Sequence, residues 1–123
     1  MSGARDESVL LGDIVDAVRR LIELGGRMLR GASAPDRDTA DMILWNLTVL
    51  GEAVKRLNPS TRERFGEVDW RAMAGIRDVL VHHYEGVDWE IVTRIITIEL
   101  PSLLPTLVEI HDTLRVEFDA SKP

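Results

Sequence analysis

The strongest constraint on the fold is an apolar seam near the middle of the chain. Five aliphatic residues are spaced by four, three, four and three positions: Ile43, Leu47, Leu50, Val54 and Leu57. Residues three and four apart lie above one another on a helix surface, so this spacing predicts one apolar face of an α-helix. A helix with such a face must bury it against other elements.

Capping residues and prolines mark where the predicted helices begin and end. The seam helix begins near Asp36 or Asp38, either of which can cap it. It ends at Asn58-Pro59, because proline disfavours helical geometry in the residue before it. Asp69 is a suitable cap for a further helix, and Asp88 for a long last helix.

The remaining segments also favour helices. Residues 8–30 have an apolar face, in which Gly25-Gly26 either weakens the helix or lets a neighbouring helix approach closely. Residues 60–65 can form a short helical turn, and Pro101 predicts a kink or two abutting helices within the last helix. No segment alternates with the period of a strand. The sequence therefore predicts an all-α, up-and-down bundle of four main helices plus a short helix.

Composition sets the class of protein. Apolar residues make up 45% of the 123 residues and charged residues 29%, which predicts a single domain, 1–123, with flexible tails at 1–7 and 118–123. The absence of cysteine favours a reducing cytoplasm. The polar start does not resemble a secretory signal, and no uninterrupted apolar run approaches the ~18 residues of a membrane span. We therefore expect a cytoplasmic protein with no membrane partner.

Positive charge is concentrated in one segment of an acidic chain whose net charge is −6. Residues 51–77 hold six basic and four acidic residues, whereas the segments before and after them have net charges of −2 and −6. This segment is either an ordinary solvated surface or a local patch that attracts anions such as RNA phosphates.

Arg77 to Tyr84 carries most of the groups suited to acid-base chemistry, including two of three histidines and the only tyrosine. On a helix, Asp78 and His82 are neighbours, and a carboxylate beside an imidazole fixes its tautomer and raises its basicity. An imidazole that cycles protons and a guanidinium that stabilises phosphate charge suit the cleavage of RNA phosphodiesters. Arg77 and Tyr84 lie seven residues apart, on one side of the helix if it lasts that long.

Other interpretations of this stretch stay open. Arg77 could form an ion pair with Asp78 or Glu85, leaving the histidines as surface groups. His82-His83 is a poor metal chelator, because adjacent helical side chains point about 100° apart. Glu52, in the seam helix, is either a buried partner for Arg77 or a solvated residue. The three tryptophans, Trp45, Trp70 and Trp89, are expected in the core or an interface.

The stretch resembles the motif of HEPN-domain proteins, an arginine followed by a polar residue and then by a histidine. It is most similar to the HepT-like subgroup, whose pattern Arg-(Asn/Asp)-x3-His-x-Tyr corresponds to Arg77, Asp78, His82 and Tyr84. The resemblance covers about residues 10–115. Further matches to the subgroup flank the motif: the segment 50–57, Asp69-Trp70, Gly75-Ile76 and the segment 86–89. The chain departs from the subgroup at two positions. Asp78 stands where asparagine is common, and Thr93 stands where an aromatic residue is often found.

The resemblance implies a homodimeric, metal-independent RNase toxin without a cofactor, whose two motifs face a shared cleft. It implies that Arg77 and His82 are catalytic and that Asp78 supports them, with Glu52 as a second supporting residue. The expected antitoxin is an MntA-type nucleotidyltransferase that binds the toxin and transfers AMP to Tyr84. Transfer RNA is the expected substrate. The alternatives are a non-catalytic HEPN subunit that binds such a transferase, and a helical dimer without chemistry.

Overall fold

The protein is a bundle of helices. A computed structural model describes residues 3–29, 35–82 and 87–122, with the side chains of residues 29 and 77–82 left aside. No strand occurs in these ranges, so the predicted all-α class is confirmed. The elements in chain order are α1 Ala4–Leu29, α2 Arg37–Arg56, α3 Pro59–Arg64, α4 Trp70–His82, α5 Trp89–Arg94, a π-helical segment Ile95–Glu99 and α6 Leu100–Ala120.

The core lies between α1 and the helices that pack around it. Helix α1 contacts α2, α6 and the π-helical segment, and α2 also packs against α4. The predicted seam of α2 is confirmed, because its first four residues are fully buried and Leu57 is only 2% exposed. The matching face of α1 contributes four further fully buried residues: Leu11, Ile14, Val18 and Leu21.

Helix α1 begins at Ala4, before the predicted start at residue 8. Glu7 explains the earlier start, because it is buried and its Oε1 accepts two hydrogen bonds from the α3 region. The Asn58 N–H donates at 2.8 Å and the Thr61 hydroxyl at 2.5 Å. At the other end, α6 continues to Ala120. Helical structure thus extends into both segments that were predicted as tails.

Three aspartates cap helices as predicted. Asp36 Oδ1 accepts a hydrogen bond from the Thr39 N–H at 3.0 Å, and hydrogen bonding from Thr39 lowers the pKa of this carboxyl. Asp69 Oδ1 accepts from the Ala72 N–H at 3.0 Å. Asp88 Oδ1 accepts from the Glu90 and Ile91 N–H groups at the start of α5. Each cap satisfies N–H groups that have no partner inside the helix.

The last helix is irregular where its prolines begin. Helix α5, the π-helical segment and α6 form one helix from Trp89 to Ala120, rather than two that separate at Pro101. The Leu100 N–H donates to the carbonyl of Ile95, five residues earlier. This spacing is that of a π-turn and is wider than the four residues of an α-helix. Pro101 has no N–H, so it cannot make the next α-helical hydrogen bond. The predicted irregularity therefore takes the form of a π-turn.

This last helix also contains a long apolar segment. Within the helix Trp89–Ala120, an 18-residue window has a mean hydropathy of 1.5, and 22% of this window is buried. By length and composition alone, the helix could cross a membrane. The sequence prediction considered only uninterrupted apolar runs, so it missed this window. The expected absence of a membrane partner stays a prediction.

Close packing explains one of the two adjacent glycines in α1. A Cβ atom at Gly25 would lie 3.3 Å from both Ile96 Cγ1 and Thr97 Cγ2. Those two residues belong to the π-helical segment, so Gly25 lets this segment approach the α1 backbone. Of the two predicted explanations for the pair, close approach of a neighbouring helix is therefore confirmed at Gly25.

Candidate functional site

Helix α4 carries the motif, and its first turn is held firmly by the core. The Trp70 side chain is 5% exposed, and its indole N–H donates to the Phe65 carbonyl at 3.0 Å. Met73, one turn later, is 4% exposed. Together with the Asp69 cap, these contacts fix the position and direction of the helix that leads to the motif.

The backbone places three motif residues on one uninterrupted helix. Helix α4 extends to His82, so Asp78 and His82 are separated by one α-helical turn, as predicted. Arg77 is one α-helical turn after Met73 along this helix. His83 and Tyr84 lie outside the described residues, so whether the helix lasts to Tyr84 stays a prediction. The roles assigned to these residues stay predictions.

Helix α2 packs against α4 and supplies the fifth candidate residue, Glu52. The Glu52 side chain is partly buried. Its exposure is therefore intermediate between the two predicted alternatives, a buried partner for Arg77 and a solvated residue. Trp45 precedes it by two helical turns and is 67% exposed. A groove of ≈ 230 Å³ between α1 and α2 is lined by Leu10, Asp13, Trp45, Thr48, Val49, Glu52, Ala53 and Arg56.

The basic segment is not one continuous cationic patch. Arg64 forms a two-pronged ion pair with Glu117, with Nη1 2.8 Å from Oε1 and Nη2 2.5 Å from Oε2. This pairing raises the pKa of Arg64 and lowers that of Glu117. The Arg64 guanidinium also lies 4.8 Å from the centre of the Phe65 ring. This arginine is therefore used in joining the α3 region to α6.

Two other arginines lie at the corner between α3 and α4. Arg62 and Arg71 line an open depression of ≈ 820 Å³, together with the carboxylates of Glu63, Glu67 and Asp69. Its charges are mixed, so it does not present a simple surface for phosphate. Along α4, Arg71 is six residues before Arg77, about 9 Å at the helical rise. The predicted anion-attracting patch is thus divided into separate parts.

Two features escaped the sequence analysis. Trp45 is exposed, so of the two places expected for it, the core or an interface, the core is wrong. Its position midway between Ile43 and Leu47 places it off the seam and is a signal for exposure. Glu7 is buried through partners more than fifty residues away in the chain, and no local pattern signals this. Among the described side chains, no three His, Asp or Glu residues cluster as metal ligands would.

An all-α bundle whose fourth helix carries Arg77, Asp78 and His82 defines a HEPN-type protein, and comparison with known sequences identifies the family. Residues 14–110 match the model of the family described as Ribonuclease HepT-like. The chain belongs to this family, so the predicted resemblance is confirmed. The match includes the whole motif and the groove residues Trp45 to Arg56.

Named relatives agree with this assignment. A protein of Methanocaldococcus jannaschii described as a predicted RNase is 31% identical over 117 residues, 95% of this chain and 97% of its own. A predicted ribonuclease HepT of Thermococcus cleftensis is 29% identical over 99 residues, 80% of this chain and 90% of its own. No solved structure matches the chain. The family and these names support ribonuclease activity.

Proposed function

We propose that this protein is the toxin of a type VII-like toxin–antitoxin pair, a metal-independent endoribonuclease that cleaves tRNA in the cytoplasm. The observation that carries the proposal is the continuous helix α4, which holds Arg77, Asp78 and His82 at the spacing of the motif in a HepT-like chain. The anchored first turn of α4 supports it further, because a catalytic group must sit on a rigid element.

In this mechanism His82 takes the proton from the 2′-hydroxyl of the RNA. The 2′-oxygen bonds to phosphorus, the bond from phosphorus to the 5′-oxygen breaks, and an imidazolium returns a proton to that leaving oxygen. The products are a 2′,3′-cyclic phosphate and a 5′-hydroxyl. Asp78, one turn before His82, holds the imidazole tautomer, while Arg77 stabilises the charge that develops on the phosphate.

The proposed complex contains two copies of the chain, whose motifs face one cleft, and an MntA-type nucleotidyltransferase as antitoxin. The transferase would join the Tyr84 oxygen to the α-phosphorus of ATP, with release of pyrophosphate and loss of the hydroxyl proton. The attached AMP adds a negative phosphate and a base seven residues from Arg77. The phosphate would repel RNA and compete for the arginine, and the base would block access. Modification of this one tyrosine would therefore turn the site off.

We expect purified chain to cleave tRNA, and to lose this activity after incubation with the transferase and ATP. Intact mass should rise by whole AMP units, while Tyr84→Phe should stay unmodified and remain active after the same incubation. Denaturing gels and mass spectrometry provide the two measurements. AMP attached elsewhere in the Tyr84→Phe chain, with loss of its activity, would contradict the assignment of the tyrosine.

A further inference from the structure

Trp45 is the most exposed large apolar side chain in the described part of the structure. It is 67% exposed, whereas Trp70 is 5% exposed. An exposed indole leaves a large, flat apolar face available to a partner. Flat aromatic faces of this kind are the platforms on which proteins stack unpaired bases of single-stranded RNA.

The groove beside Trp45 has the size and lining of a site for one small ring system. Its volume of ≈ 230 Å³ lies below the usual range of about 300–1,000 Å³ for drug-sized ligands. Leu10, Val49 and Ala53 form apolar walls, while Asp13 and Arg56 supply charge at the rim. Such a groove is too small for a helix of a partner protein, which is about 10 Å across.

The charges of this groove favour a base over a phosphate backbone. Asp13 and Glu52 place two carboxylates beside one guanidinium, Arg56, and the whole chain has a net charge of −6. A carboxylate repels phosphate but accepts hydrogen bonds from the exocyclic amino groups of nucleobases. An acidic protein gains little affinity from phosphates, so contacts with bases must supply more of the binding energy.

The groove is also close to the motif helix. Helix α2 packs against α1 on the side of the groove and against α4, which carries Arg77 and His82. Helix α2 therefore both lines the groove and contacts the motif helix. A nucleotide near the cleaved bond could place its base in the groove while the phosphate stays at the motif.

We propose that the groove between α1 and α2 binds one unpaired, amino-bearing nucleobase of the RNA substrate, stacked on Trp45 and hydrogen-bonded to Asp13. The proposal rests on the ribonuclease function and adds a substrate-specificity site to it. Because uracil has no exocyclic amino group, adenine, cytosine and guanine are preferred there.

Binding of short fluorescent oligoribonucleotides to the full chain tests this proposal. The His82→Ala background prevents cleavage, and the probes are oligoadenylate, oligouridylate and an abasic ribose-phosphate oligomer. We expect Trp45→Ala to raise the Kd for oligoadenylate by roughly 5- to 100-fold and Trp45→Phe to raise it less. The Kd for the abasic oligomer should not change. Asp13→Asn should reduce the preference for oligoadenylate over oligouridylate, while Ile98→Ala, at another exposed apolar position, should have no effect.

Two results would overturn the base site. One is an unchanged Kd for oligoadenylate in Trp45→Ala. The other is an equal change for the abasic oligomer together with a shift from dimer to monomer in sedimentation, which would assign the indole to a contact between protein chains. If Trp45-dependent binding is present but the chain without the His82→Ala change cleaves no RNA, the ribonuclease proposal fails and the base site stands.

Discussion

Alanine at His82 is expected to lower the rate of RNA cleavage by roughly 10²–10⁴-fold, because the proposed proton acceptor and donor of the reaction is removed. Alanine at Arg77 is expected to lower it by about 10²–10³-fold, the usual effect of removing one group that stabilises transition-state charge. Single-turnover rates with a labelled tRNA measure both losses. The helical circular dichroism of both variants should equal that of the unaltered chain.

Helix α4 itself provides the matched control for these two variants. Arg71 lies on the same helix, is exposed, and is six residues before Arg77. Arg71→Ala removes the same charge from the same helix. Because Arg71 is a surface group outside the proposed site, the cleavage rate of this variant should stay within about three-fold of that of the unaltered chain. Full activity in Arg77→Ala and His82→Ala would reject the assignment of those residues.

Alanine at Glu7 is expected to lower the free energy of unfolding by about 2–4 kcal/mol, because two donors lose their acceptor. Glu7 Oε1 accepts from the Asn58 N–H and the Thr61 hydroxyl, and both Glu7 and Thr61 are buried. These bonds join the first turn of α1 to the start of α3, just after α2 ends. Their loss should therefore weaken the end of the bundle from which α4 begins.

Urea denaturation followed by circular dichroism measures this effect. Glu23→Ala is the control, since Glu23 is exposed on the same helix and should change the stability by less than about 0.5 kcal/mol. A double-mutant cycle with Thr61→Val measures how much of the stability loss comes from the Thr61 hydroxyl. The losses in the free energy of unfolding of the two single variants should not add up to that of the double variant. A Glu7→Ala chain as stable as the Glu23→Ala chain would contradict the buried network.

Local sequence patterns were sufficient to predict most of the fold. Three features could be predicted because each depends only on neighbours within a few residues. They are the seam from Ile43 to Leu57, the aspartate caps and the end of the helix before Pro59. Glu7 was assigned to a loose tail because its partners, Asn58 and Thr61, are distant in the chain. The π-turn before Pro101 could not be predicted either. Proline removes one helical hydrogen bond, but it does not determine which backbone geometry the helix adopts instead.

The helical spacing of the candidate residues was predictable from the sequence, but the surroundings of helix α4 were not. The spacing of Asp78 and His82 already defined a helical pair, and α4 provides that helix. Net charge along the chain could not reveal that Arg64 is paired with Glu117, because the pairing joins α3 to α6. The exposure of Trp45 depends on which face of α2 the neighbouring helices leave open, and that is a property of the assembled bundle.

The central claim is that this HepT-like chain cleaves RNA through the 2′-hydroxyl, with histidine and arginine on α4 and without a metal ion. The most direct test maps the cleaved bond in a tRNA fragment and then replaces only the nucleotide before it by its 2′-deoxy form, in the presence of EDTA. We predict cleavage of the all-ribose fragment to a 2′,3′-cyclic phosphate, and no cleavage of the 2′-deoxy fragment. Cleavage of both fragments, or loss of all cleavage on adding EDTA that returns with a divalent metal, would contradict the account.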